Sequence, residues 1–393
     1  MTAPETVQVM AALGEARFVG GAVRNALLGA PVVDIDIAVP MPPQEALARL
    51  KAKNIKVVET GLDHGTVTAV AGTHAFEITS LRRDVETDGR HAKVAFTDDW
   101  AEDAQRRDFT INALYASANG EIFDYATGVE DLVAGRVRFM GEAAARIAED
   151  YLRVLRLFRF HAWYGRGDVD AEGLRAAAAA KDKLKTLSAE RIAKELLRLL
   201  EAARPGPVLR VMAATGILPE LLPGALQLPR LEKLAELEAD NFLSRDAILR
   251  LAALLPDAQT ARLVAQRLRL SNADCERLEQ ALGGDAIAPQ ISAGQARRLL
   301  YRLGAARFKD KVLLQWAAAP ESAGVWRLLL EMAGSWRRPR FPLTGHDAMQ
   351  AGVPEGPEVG RVLAAVEDWW VEGDFAADEG ALRDRLKAEI GQA

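Results

Sequence analysis

Two aspartates one residue apart, Asp34 and Asp36, stand in the segment VGGAVRNALLGAPVVDIDI (residues 19–37), behind a Gly20-Gly21 pair and Arg24. On a strand, residues i and i+2 point to the same side, so both carboxylates would face one site among Val33, Ile35 and Ile37. Two anions held that close call for a cation. Hard divalent ions such as Mg2+ accept one or two carboxylates and fill the remaining positions with water and substrate phosphates. Residues 22–28 read as a short helix starting directly after the glycines, where the backbone can approach a phosphate closely and free N–H groups point towards it. Arg24 then supplies a mobile cation. Alone, a Gly-Gly pair is a plain turn and an Asp-x-Asp a solvated strand face; joined in this order, they point to nucleotide chemistry.

Two further constellations could serve that chemistry. Residues 103–116, DAQRRDFTINALYA, place Arg106, Arg107 and Asp108 immediately before an apolar helical pattern. In 149–160, EDYLRVLRLFRF, Asp150, Arg153 and Arg156 recur every three residues and would span about a third of a helix circumference, with Arg159 drifting to the apolar side. A carboxylate accepts from the amino group of cytosine or adenine, and an arginine donates to ring nitrogens or carbonyl oxygens, so such a face can mimic a base-pairing edge. The plainer reading is an i,i+3 ion pair on an exposed helix.

The elements that must position these residues fall into two regimes. In the first third, FVGG, VVDIDIAV, IKVVE, TVTAVAG, AFEITS and EIFDYATG read as strands, with helices near 22–28, 44–53 and 101–117: a domain of about 135 residues. From Glu142 onward, Ala- and Leu-rich helical patterns take over, from 142–165 through 188–203 and on to 357–372 and 378–390, punctuated by prolines and without a fixed repeat. The expected fold class is α+β: a head with a mixed sheet at 1–138, an all-α neck at 139–204, and a helical body and tail at 205–393.

Composition excludes several classes. At 393 residues the chain has room for two or three domains. It has no uninterrupted apolar run long enough for a membrane span. Its start, MTAPETVQVM, lacks a secretory pattern, and its one cysteine, Cys275, excludes an internal disulfide and any Cys-based zinc site, so a cytoplasmic location is expected. The net charge of −5 argues mildly against a nucleic-acid partner. Local basic clusters nevertheless keep an elongated polyanion in play: Arg153, Arg156 and Arg159; Arg297, Arg298, Arg302, Arg307, Lys309 and Lys311; and Arg337, Arg338 and Arg340. The five histidines, His64, His74, His91, His161 and His346, are scattered and read as structural.

The ordered set GGAVRNALLG, DID, RRDFTINALYA, EDYLRVLRLFRF and SAERIAKELLRLL resembles the bacterial class II tRNA nucleotidyltransferases, the CCA-adding enzymes and their poly(A) polymerase relatives. The likeness is dense over 17–200, thin over 205–335 and returns at 341–364, in PLTGHDAMQAGVPEGPEVGRVL. It implies a polymerase-beta-like head in which Asp34 and Asp36 bind two catalytic Mg2+ ions. Gly21 and Arg24 would contact the nucleotide's phosphates, with Arg107 opposite. Asp150 and Arg153 would select CTP or ATP, supported by Arg156 and Arg159, and the segment from Glu190-Arg191 would brace the neck. Glu77 on the AFEITS strand is a candidate third carboxylate, or a sheet residue facing solvent. Asn25 stands where the family usually has Asp, and Ala30 where a basic residue is common; Asn25 can still orient Arg24 through its amide oxygen.

The implied activity is template-independent addition of CCA to the tRNA 3′ end from CTP and ATP, releasing pyrophosphate. A poly(A) polymerase is the alternative, followed by a CC-adding enzyme or a noncatalytic RNA-binding homologue. The uninterrupted stretch RRDVETDGRHAK at 82–93, read as a mobile loop, argues against the CC-adding reading.

Overall fold

The computed structural model describes every residue except 60, 63, 64, 89, 90, 285 and 391–393, and the side chains outside 84–88 and 91–94. It contains two compact units: Met1–Pro223 with Arg267–Arg269, and Gly224–Gln266 with Leu270–Ala393.

The first unit opens with α1 (Pro4–Leu13), β1 (Arg17–Val19), α2 (Gly21–Leu27), β2 (Ile35–Val39), α3 (Pro43–Ala52), β3 (Lys56–Val58), β4 (Thr66–Ala71) and β5 (His74–Ser80). There follow β6 (Arg82–Asp88), β7 (His91–Phe96), α4 (Trp100–Gln105), β8 (Leu114–Ala116), β9 (Ile122–Asp124) and α5 (Gly128–Ala134). Seven strands form one sheet in the order β3-β4-β5-β2-β1-β8-β9. The β2–β5 pair is parallel, with Asp36 opposite Glu77, while β2 pairs antiparallel with β1, which makes the sheet mixed as expected. Along β2, Ile37, Ala38 and Val39 are buried, whereas Asp36 at its start is only half-buried, so the apolar end anchors the strand and the acidic end is left at the sheet's mouth.

Helices complete the unit: α6 (Ala143–Glu149), α7 (Leu152–Tyr164), α8 (Ala171–Ala179), α9 (Ala189–Leu200), α10 (Gly206–Ala214) and α11 (Ile217–Leu221). On α7 the residues Leu152, Val154, Leu155, Leu157, Phe158 and Phe160 are buried, and the helix packs on α9. Because α10 packs against α7, and α11 against the 3-10 turn Lys181–Thr186, the first unit extends past the boundary expected at 204.

Among its described residues the second unit has helices and no strand. Its helices are α12 (Leu228–Asp240), α13 (Ala247–Leu254), α14 (Ala258–Leu268, of which Arg267 and Leu268 count with the first unit), α15 (Asn272–Leu282), α16 (Ala293–Leu303), α17 (Ala305–Ala318), α18 (Ala323–Ser335), α19 (Gly345–Gln350), α20 (Pro357–Glu372) and α21 (Glu379–Ile390). Arg250 and Glu238 form a fully buried ion pair (2.6 Å) between α13 and α12. A separate apolar cluster around Trp370, with Tyr301, Val362, Val366, Leu382 and Leu386, closes the C-terminal end.

Three expectations are corrected. The helix expected over 101–117 ends at Gln105; Phe109 is extended (φ −127, ψ 150), a 3-10 turn at Thr110–Asn112 follows, and Leu114–Ala116 joins the sheet. Asp108 drives the change, since its carboxylate accepts from its neighbour Phe109 N (2.9 Å) and from Asn112 Nδ2 (2.9 Å), which competes with helical pairing. The helix expected over 142–165 is broken at Asp150 (φ −154, ψ 108), whose carboxylate accepts from Leu152 N (3.1 Å). The stretch read as a loop over 82–93 is the antiparallel hairpin β6/β7, with a register irregularity at Asp84/Glu86; its residues 89 and 90 lie outside those described. The short helices α1, α5 and α11 also escaped sequence reading.

Candidate active site

Asp36 lies in β2, and Asp34 just before the strand begins, one residue short of the regular pleat expected for both. Burial pushes the Asp36 carboxyl above its usual range, Glu77 across the parallel pair and Asp34 push it further, and Arg107 opposes them. Asp34, Asp36 and Glu77 have no hydrogen-bond or ion-pair partner among the described residues. No group of three or more His, Cys, Asp or Glu side chains among those residues is arranged to hold a metal ion. Glu77 is solvent-exposed and bears on Asp36 through its charge. An unpaired, half-buried carboxylate with a second one beside it fits a hard divalent ion that completes its shell with phosphate oxygens.

The glycine turn lies between two guanidinium groups. Gly20 is left-handed (φ +68), and a Cβ there would sit 3.6 Å from Arg107 Nη1; a Cβ at Gly21 would sit 3.5 Å from Arg24 Nη2. Arg107 is held from behind by Asp103, which accepts from its Nη2 (3.0 Å), and by Tyr115, whose hydroxyl accepts from its Nε (3.1 Å) and donates to Asp103 (2.6 Å). Burial would lower the Arg107 guanidinium, but Tyr115 and Asp103 together hold it above its ordinary value. Burial also works against the Asp103 charge; Arg107, Arg106 and the hydrogen bonds from Tyr115 and Arg82 N override it and hold the carboxyl at about 2.

Arg24 is buried, which corrects the expectation of a mobile cation. Its guanidinium lies 4.0 Å from the Tyr164 ring centroid and donates to the Tyr164 hydroxyl (2.9 Å), to Asn112 Oδ1 and to Asn25 Oδ1 (3.1 and 3.2 Å). Asn25 thus does orient it by hydrogen bonding. Asn112 had no sequence signal beyond lying inside the 103–116 segment, and Tyr164, four residues past the 149–160 segment, had none.

The third group surrounds the start of α7. Asp150 sits at the break before the helix, so the common face inferred from spacing by three does not extend to it; its Oδ2 accepts from Arg191 on α9 (2.5 Å). Arg153 pairs with Glu149, Arg156 with Asp108 (Nε to Oδ2, 2.8 Å), and Arg159 with Glu195 on α9 (2.5 Å). Burial alone would lower the Arg156 guanidinium, yet Asp108 and Glu195 raise it; burial likewise raises the Asp108 carboxyl, and Arg156 outweighs it. Since Asp108 also accepts from Asn112, which accepts from Arg24, one chain of hydrogen bonds runs from Arg156 through Asp108 and Asn112 to Arg24. A cleft lined by Pro40, Met41, Phe96, Asp99 and Glu102 lies past the other end of β2 and includes none of these residues.

The remaining candidates separate. Arg297 forks onto Asp374, Arg302 pairs with Asp368 (3.2 Å), Arg307 with Glu276 (2.9 Å), and Lys311 is buried with its ammonium on Gly283 O, so half of this basic cluster is paired with acids. Arg337, Arg338 and Arg340 are exposed. His161 is buried, with Nε2 on Gly167 O (3.2 Å); His64 and the His91 side chain lie outside the described residues. Among the described residues no helix is long and apolar enough to cross a membrane.

Residues 16–138 match the family described as Poly A polymerase head domain, and residues 168–228 match the probable RNA and SrmB-binding site of polymerase A. Fold and site together define a nucleotidyltransferase with a polymerase-type head. The chain is 34% identical over 387 residues to CCA tRNA nucleotidyltransferase 1, mitochondrial, of Homo sapiens, covering 95% of this chain and 86% of that protein. It is 31% identical over 373 residues to the CCA-adding enzyme of Latilactobacillus sakei, covering 93% and 91%. The crystal structure of the Bacillus stearothermophilus CCA-adding enzyme in complex with CTP superposes with a TM-score of 0.79 at 25% identity, covering 99% of this chain and 97% of that one. The chain belongs to the CCA tRNA nucleotidyltransferase family.

Proposed function

We propose that this enzyme adds CCA to the 3′ end of tRNA, using CTP and ATP and releasing pyrophosphate. The observation that carries the reading is the glycine turn flanked by Arg24 and Arg107 beside the unpaired Asp34/Asp36 carboxylates, with the α7 arginines wired into the same network. A triphosphate has anionic oxygens for both guanidiniums, and its base needs the donor and acceptor groups that Arg153 and Asp150 present. The solved B. stearothermophilus relative, in complex with CTP, lends the same support.

In this reading Asp34 and Asp36 hold the Mg2+ ions, two in number. A divalent ion held by these two carboxylates would supply Lewis acidity for the attacking hydroxyl and charge neutralisation for the phosphates. Arg24, Gly21 and Arg107 bind the triphosphate. Asp150 and Arg153 read the base edge, with Arg156 and Arg159 behind them. The RNA 3′-hydroxyl attacks the α-phosphorus in line with the departing pyrophosphate, so positioning and charge neutralisation carry most of the rate.

A poly(A) polymerase shares the head and is the second reading, favoured by the description of the matching head family. Relatives named for CCA addition, aligned over more than nine-tenths of this chain, favour the first. The uninterrupted sequence stretch at 82–93 weighs against a CC-adding enzyme. Asp34→Ala and Asp36→Ala test the reading: each should abolish nucleotide incorporation while leaving thermal unfolding of the protein unchanged. Substantial residual incorporation in either variant would remove these carboxylates from the chemistry.

A further inference from the structure

Arg146 on α6 is a buried cation with no assigned task, and its partners connect the two halves of the nucleotide site. Its Nη2 donates to the carbonyl oxygens of Arg106 and Arg107 (2.8 Å to Arg107). Its Nη1 donates to Glu149 Oε1 (2.7 Å). The other Glu149 oxygen accepts from Arg153 Nη1, and the same Nη1 donates to the Arg146 carbonyl (2.8 Å). The backbone that carries Arg107 is therefore tied through one guanidinium to the carboxylate that fixes Arg153. Asp150, one residue past the end of α6, takes its place from the same short helix.

A buried charge is retained only where it is paired, and a planar guanidinium can serve two carbonyls and a carboxylate at once, whereas an ammonium is a single point donor. We propose that Arg146 is a positioning residue for nucleotide selection, setting the base-reading edge of Arg153 at a fixed offset from the triphosphate-binding Arg107. The proposal rests on the nucleotide site described above. It predicts a loss of discrimination rather than a general loss of rate. When the offset relaxes, a correctly bound triphosphate no longer guarantees a correctly placed base edge, so CTP and ATP lose their advantage over UTP and GTP.

The test uses the full chain with Mg2+ and a tRNA lacking its CCA end, comparing wild type with Arg146→Lys and Glu149→Gln. KM and kcat are measured for all four nucleotides, beside thermal unfolding. Wild-type incorporation of CTP and ATP checks the underlying reading independently; its failure would sink that reading whatever the variants do. Given wild-type activity, Arg146→Lys should raise KM for CTP and ATP about tenfold, the loss expected for one charge-assisted contact, and raise relative UTP and GTP incorporation by a similar factor. Glu149→Gln should move the same way by less, and it decides the matter if Arg146→Lys fails to fold. Unchanged discrimination, or an equal fall in kcat for every nucleotide, would overturn the proposal.

Discussion

Asp108→Asn should destabilise the first unit by about 2–3 kcal/mol, and the structure says where that cost arises. One Asp108 oxygen accepts from Arg156 and the other from Phe109 N and Asn112 Nδ2. Breaking a buried ion pair costs about 3–5 kcal/mol. Arg156 is 31% exposed at the side chain and has Glu195 at 3.7 Å, so water and that second acid return part of the loss. Asparagine has one acceptor where aspartate has two. If its oxygen faces Arg156, its amide meets Asn112 Nδ2 donor to donor; Asn112 must then turn over and aim a donor at Arg24. Either Arg156 or Arg24 is released. For a unit of this size the shift in Tm is roughly 5–10 °C, read by thermal unfolding, with incorporation kinetics measured alongside. The double variant Asp108→Asn/Asn112→Asp restores an acceptor for the new amide and for Arg24, and should recover part of both losses. A single variant within about 0.5 kcal/mol of wild type, or a double variant no better than the single, would refute the relay.

Other perturbations address other parts of the site. Asp103 is held at about 2 in the folded chain against about 3.9 unfolded. Its stabilisation, about 2 kcal/mol, is therefore present above pH ~4 and lost as pH falls towards 2, and Asp103→Asn should flatten that acid limb in unfolding measured against pH; an unchanged slope would contradict the pairing. Gly20→Ala forces a Cβ into a left-handed backbone beside Arg107 and should cost about 1–2 kcal/mol and raise KM for CTP, as steady-state kinetics would show. Arg337→Ala/Arg340→Ala should weaken tRNA binding and lower its salt slope by up to ~2, whereas Arg297, locked onto Asp374, should affect stability instead; an unchanged slope would take 337 and 340 out of the RNA interface.

The parts of this site legible in the sequence were those written in local order. Gly20-Gly21, Arg24, Asp34 and Asp36 lie within 17 consecutive residues, and a strand–turn–helix–strand path brings their backbones together with little help from elsewhere. Residues whose conformation is set by side chains bonding to nearby backbone are not legible in this way. Asp108 and Asp150 each turn a periodic helical pattern into a break, because a short carboxylate competes for N–H groups that the pattern alone assigns to a helix. The hairpin β6/β7 was hidden for a related reason: its charged residues lack the apolar alternation that marks a half-buried strand. Long-range partners such as Tyr164 for Arg24, or Glu195 for Arg159, are products of packing between α7, α9 and the head. Nothing in the spacing of the sequence encodes which arginine meets which acid.

CCA addition is read most plainly from product length. The purified protein, Mg2+ and a tRNA lacking its CCA end are incubated with CTP, with ATP and with both, and the products are sized to one nucleotide. A CCA-adding enzyme adds two residues from CTP alone and a third only when ATP is present. A long ladder from ATP alone, or no extension at all, would contradict CCA addition.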